Sequence, residues 1–86
     1  MTKRTVVRVA SAKRELGEIW FACGRSPKVN KASHQIDRDL RDDAIQHSNP
    51  LAEGLRVIER PPLRAVFELN DADMLVRVLS LAVVRM

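Results

Sequence analysis

The segment from Gly54 to Met86 constrains this chain more than any other part of it. Three runs rich in Val, Ile, Leu and Phe follow one another there: Leu55 to Glu59, Leu63 to Leu69 and Leu75 to Val84. Pro61-Pro62 and Asn70-Asp71-Ala72-Asp73 separate them, and residues of those types break strands and make turns. Three successive strands joined by turns read as an antiparallel meander, which presents its side chains alternately to two faces. Arginines recur along it at Arg56, Arg60, Arg64, Arg77 and Arg85. One face of such a sheet can be packed while the other displays guanidinium groups to phosphate, to an acidic peptide or to water.

The phasing of each run assigns its faces. Leu55, Val57 and Glu59 share one side of the first, with Arg56, Ile58 and Arg60 on the other. In the second, Leu63, Ala65, Phe67 and Leu69 face the core, and Arg64, Val66 and Glu68 lie opposite. The third is apolar on both sides, which marks an interior or doubly covered strand; Val76, Val78, Ala82 and Val84 form one of its faces.

Upstream, Thr5 to Ala10 is valine-rich and reads as a short strand. Ser11 is the expected N-cap of a helix with Ala12, Leu16, Ile19, Trp20 and Cys23 on one apolar stripe and Gly24 as its stop. Ser26-Pro27 opens a second helix with Val29, Ala32, Ile36, Leu40 and Ala44 facing inward, and Ser48-Asn49-Pro50 closes it. Its charged face, with Arg38, Asp39, Arg41 and Asp42, reads as solvated. The expected fold is α+β, a strand and a two-helix hairpin followed by a three-stranded antiparallel meander, in one domain over 1–86.

Composition limits the function. A chain of 86 residues buries only about 60 to 65% of its unfolded surface, so a large internal substrate cavity is not expected. No stretch approaches the length of apolar chain needed to cross a bilayer, and Arg8 interrupts the apolar start before it reaches signal-peptide length. A single cysteine, Cys23, fits a reducing compartment, and the expected location is the cytoplasm with no membrane partner. The net charge of +4 is unevenly placed: residues 1–31 carry eight basic groups against two acids, whereas five arginines meet five acids after residue 50. That balance argues against a simple basic nucleic-acid surface on the strands.

The segments Gly54-Leu55-Arg56-Val57-Ile58, Pro62 to Asp73 and Val76 to Leu81, together with Glu15-Leu16-Gly17-Glu18-Ile19-Trp20 on the first helix, resemble the RelE/ParE superfamily of toxins from bacterial type II toxin-antitoxin systems. The resemblance covers nearly the whole chain. It implies a cognate antitoxin as partner and one of two targets: DNA gyrase, bound by ParE-like members, or messenger RNA on the ribosome, cleaved by RelE-like members. For a RelE-like nuclease the matching catalytic positions are Arg64, Arg60 and Arg85. For a binding protein the contact residues are Arg56, Arg60, Arg64 and Arg77. Arg64 matches the family position best, and its competing role is a cross-strand pair with Glu59 or Glu68.

The chain contains no Tyr, no Lys after Lys31 and no His after His47. Arginine is a poor general base for RNA transesterification. The expectation is therefore a toxin-like protein that acts by binding, with the ribosome-dependent endonuclease and a non-toxic interaction module as the alternatives. The free edge of the sheet could take an antitoxin strand or a second copy of the chain as a homodimer.

No cofactor is expected. His34 and His47 are too far apart in sequence for one helical metal site, and Asp39, Asp42 and Asp43 stand among arginines without a glycine-bearing loop. Trp20 and Cys23 are read as core residues, Cys23 as an inert buried thiol, and Arg60, before Pro61-Pro62, as a solvated side chain.

Overall fold

The computed structural model describes residues 3–70 and 72–84. Seven elements follow in order: β1 (Thr5–Arg8), α1 (Ala10–Ala22), α2 (Pro27–Asp43), β2 (Asn49–Ala52), β3 (Leu55–Arg60), β4 (Leu63–Asn70) and β5 (Leu75–Val83). The strands make one sheet in the order β1-β5-β4-β3-β2, antiparallel except where β1 runs parallel to β5. The α+β architecture and the meander expected from the sequence are present. β2 is an addition that was not expected, because four residues containing a proline give almost no strand signal. Pro50 is tolerated at the sheet edge, where no ladder donor is required of it.

α2 forms as its sequence dictates. Ser26 accepts a hydrogen bond from the Lys28 N–H at 3.2 Å, and Pro27 occupies the first turn. Its apolar residues Val29, Ala32, Ile36, Leu40 and Ala44 are all buried, against Ile58, Leu63, Ala65, Phe67, Val76 and Val78 of the sheet. The helix ends at Asp43, several residues before Pro50, and a turn carries the chain to β2.

Gly24 ends α1 as expected, but the N-cap and the exposure of Cys23 depart from expectation. The N-cap is Val9, with no side-chain capping bond, rather than Ser11. The parallel ladder causes this: the Val9 N–H still donates to the Val78 carbonyl at 3.1 Å, while the Val9 carbonyl already accepts from Lys13. The strand thus passes straight into the helix. At the other end the helix stops at Ala22, so Cys23 leaves the apolar stripe and is exposed rather than buried. Gly24 and Arg25 follow at φ of 67° and 60°, and the Arg25 N–H closes the end on the Trp20 carbonyl at 2.8 Å. Trp20 is only half-buried, Phe21 is 65% exposed, and the Arg25 guanidinium lies 5.6 Å and 5.3 Å from the two ring centres.

β5 carries a further correction. Its ladder with β4 slips between Val66 and Phe67, so Val66 faces Ser80 while Phe67 faces Val78. The bulge inserts one residue and reverses the alternation beyond it. Val76, Val78 and Leu81 are buried while Ala82 and Val83 are exposed, so the strand is not covered on both faces as its composition suggested.

Phe67 is the largest fully buried side chain, so Phe67→Ala should lower the unfolding free energy by about 3–5 kcal/mol in urea denaturation. The exposed Cys23 should react with a water-soluble disulfide reagent in the native protein about as readily as after unfolding.

Candidate functional site: the open face of the sheet

Both helices pack on one face of the sheet, α1 over β5 and α2 over β3, β4 and β1. The strand registers then determine what the other face displays. One cross-strand row holds Leu55, Glu68, Arg77 and Val7; the next holds Asn49, Val57, Val66 and Ser80; the third holds Glu59, Arg64 and Ala82. This face is a band of valine and leucine with an arginine–glutamate pair on either side of it.

The two pairs differ in tightness. Arg77 Nη1 donates to Glu68 Oε1 at 3.0 Å, across β4 and β5. Arg64 Nε stands 3.8 Å from Glu59 Oε1, inside ion-pair range but beyond hydrogen-bond reach, and that nitrogen is buried without a hydrogen-bond partner. Arg64 is therefore the less satisfied of the two. Arg64 and Glu68 are four residues apart on β4, about 13 Å. Each guanidinium is held by its own glutamate on a separate row, an arrangement that suits an extended partner. A cleft of about 290 Å³ lined by Glu68, Leu69, Asn70, Leu75 and Arg77 continues the face at one end.

The other arginines are placed elsewhere. Arg56 and Arg60 lie on the helix side of β3. Arg56 donates from Nε to Ser48 Oγ at 2.7 Å and from Nη2 to the carbonyls of Ser48 and Ile45, which binds the α2–β2 turn to the sheet. Arg60 donates from Nε to Asp39 Oδ2 at 2.8 Å and from Nη1 to the Glu59 carbonyl at 2.7 Å. Asp39 is buried on the flank of α2, so neither it nor Arg60 belongs to the solvated surface that the sequence suggested. The structure thus brings Arg64 and Arg77 to one face and withdraws Arg56 and Arg60 from it. Arg85 lies outside the described residues.

Sequence phasing had put Arg56 and Arg60 beside Ile58, but a lone arginine in a strand does not show that an aspartate waits across the fold. Their buried partners, Asp39 and Ser48, were the missing signal.

No residue that the registers place on the open face is His, Lys or Tyr. His34 lies on the outer side of α2 in a separate cleft with Lys31, Gln35 and Arg38. Among the described residues no group of three His, Cys, Asp or Glu side chains is placed to hold a metal ion. Among the described residues no helix is long and apolar enough to cross a membrane.

No protein-family model and no curated protein matches the chain. Solved structures do. A chain of the toxin-antitoxin complex RelBE2 from Mycobacterium tuberculosis superposes with a TM-score of 0.80 at 21% identity, over 96% of this chain and 93% of that one. The fold is that of the RelE/ParE toxins. A chain of the chromosomal ParDE toxin-antitoxin system from P. aeruginosa agrees, with a TM-score of 0.68 at 19% identity over 96% of this chain and 98% of that one. The shared fold spans the strand, the helix hairpin and the meander.

Replacing these arginines should separate their roles in urea denaturation. Arg60→Ala leaves buried Asp39 with only the looser contact to exposed Arg38 at 3.7 Å and should cost about 2 kcal/mol. Arg64→Ala should change stability by no more than about 0.5 kcal/mol.

Proposed function

We propose that this chain is the toxin-type member of a toxin–antitoxin pair, that it acts by binding a macromolecular target through the open sheet face, and that a cognate antitoxin neutralises it. Its fold, shared with chains of RelBE2 and ParDE complexes, supports the general reading. The pairing of Arg64 supports the mode of action. Its guanidinium is held loosely by Glu59 at 3.8 Å, beside the apolar row of Val57 and Val66, and is free to exchange that contact for a carboxylate or phosphate of a partner.

Cleavage of RNA asks for more than this face supplies. A general base must accept the 2′-hydroxyl proton, and a nearby acid must protonate the leaving oxygen. The carboxylates on the face, Glu59 and Glu68, are each engaged with an arginine, and the remaining side chains are apolar, hydroxyl or amide. A surface of this kind gains affinity from desolvated valines and a few charge-assisted contacts. DNA gyrase is the target class that fits this mode; the ribosome with its messenger RNA fits the enzymatic one.

Inducible expression should arrest growth while messenger RNA on translating ribosomes stays intact, and purified protein should inhibit gyrase supercoiling. Arg64→Ala should weaken that inhibition about tenfold, the worth of one charge-assisted contact. Cleaved messenger RNA with unaffected gyrase would replace the binding mode with the nuclease, and undisturbed growth at high expression would overturn the toxin reading itself.

A further inference from the structure

The open face carries a pattern that matches its own inverse. Along β4 the outward positions are Arg64, Val66 and Glu68, a cation and an anion each about 6.8 Å from an apolar centre. Glu59 stands beside Arg64 and Arg77 beside Glu68, so the face sets two arginines against two glutamates. Between the pairs runs the row of Asn49, Val57, Val66 and Ser80, in which Val57 and Val66 are half-buried.

A twofold rotation lays such a surface onto itself. Two identical sheets packed face to face are related by an axis lying in the plane between them. With that axis crossing the strands at Val66, Val66 meets Val66 of the second copy and the two outer rows exchange places. Arg64 then stands against Glu68 of the second copy, and Glu68 against Arg64 of the second copy. Each contact links pairs already present into a run of four alternating charges: Arg77 and Glu68 of one copy, then Arg64 and Glu59 of the other. Arg64, whose hold on Glu59 is loose at 3.8 Å, gains a second carboxylate in this arrangement. Packed sheets cross at about 30°, which keeps positions near the axis aligned, and the long Arg and Glu side chains cover the offset at the outer rows.

The size of the face sets how firmly two copies hold. Three rows about 6.8 Å apart, across strands about 4.8 Å apart, make a patch of up to roughly 450 Å² per copy. The total of about 900 Å² lies below that of long-lived complexes, so the pairing is reversible, with a dissociation constant in the micromolar range.

We propose that two copies of this chain pair through their open faces about a twofold axis at Val66, with Arg64 of each against Glu68 of the other. The face supplies both halves of its own complement, whereas a uniformly acidic or basic partner would attract one member of each pair and repel the other. Pairing covers Arg64 and the valine row, the surface assigned above to the target, so the dimer is a stored form that releases active monomer on dilution. That consequence rests on the target reading; the pairing itself does not.

The test is sedimentation velocity on the purified full chain from about 1 to 300 µM, the range that brackets a micromolar constant. The unaltered chain should pass from monomer to dimer with concentration, and less readily as salt is raised. Arg64→Glu and Glu68→Arg should each raise the dissociation constant by about tenfold or more, because either substitution opposes like charges at two places in the dimer. Mixed in equal amounts, the two variants should pair with each other to within about threefold of the unaltered chain, since every contact across the axis again joins opposite charges. A damaged fold cannot produce that recovery. Circular dichroism checks that each variant is folded; if one is not, Arg64→Ala should still weaken pairing by about fivefold. A chain that stays monomeric at the highest concentration, self-association unmoved by either reversal, or a mixture of folded variants that pairs no better than its components would overturn the proposal. None of these readouts involves growth or gyrase, so the pairing and the toxin reading fail separately.

Discussion

The attachment of α2 to the sheet is the constraint on which the rest of the structure depends. Its apolar stripe supplies five buried residues to the core, yet a stripe alone leaves a helix free to slide along a sheet. Directional bonds settle its position. Arg8 reaches Asp37 and Ser33, Arg60 reaches Asp39, and Arg56 holds the turn after the helix through Ser48 and Ile45. Two strand arginines thus hold the helix and a third holds the turn that follows it, and each is at least partly shielded from water, where such bonds are worth more than on an exposed surface.

This use of arginine divides the series that dominates the sequence. Side chains on the helix-facing side of β1 and β3 are committed to architecture. Those facing away, Arg64 and Arg77, remain on the displayed surface, each beside a glutamate. A glutamate partner keeps an exposed arginine soluble and oriented, and it can be exchanged when a better anion arrives. The net positive charge of the chain therefore says little about the open face, because the excess comes from Lys3, Arg4, Arg8 and Arg25 while the face sets two arginines against two glutamates.

Much of this was legible in the residues. The strands of the meander, the buried stripe of α2 and its Ser26-Pro27 start followed from local pattern and capping chemistry, as did the opposition of Phe67 to Arg64 across β4. What escaped was set by tertiary pairing. The parallel ladder to Val78 moved the start of α1 to Val9, and the bulge in β5 put Leu81 rather than Ala82 on the side of Val76 and Val78. Cys23 came to the surface because the helix ended one residue too early for it to share the stripe. At the site, phasing placed Arg64 away from the core and left Glu59 or Glu68 as its pair, of which the structure gives Glu59, whereas the roles of Arg56 and Arg60 depended on Asp39 and Ser48, residues whose importance no local pattern discloses.

The parallel pairing of β1 with β5 has a consequence for how the molecule comes into being. Thr5 lies opposite Leu75, so the first strand made acquires its neighbour only when the last is delivered. Until then the inner faces of α1 and α2 have an incomplete sheet to cover, and the partially synthesised chain holds apolar surface with no fixed place for it. Contacts so distant in sequence close late and slow the search for the native state. A chain that stops before Leu75 therefore has no neighbour for β1 and carries the displayed face without Arg77 and Ser80.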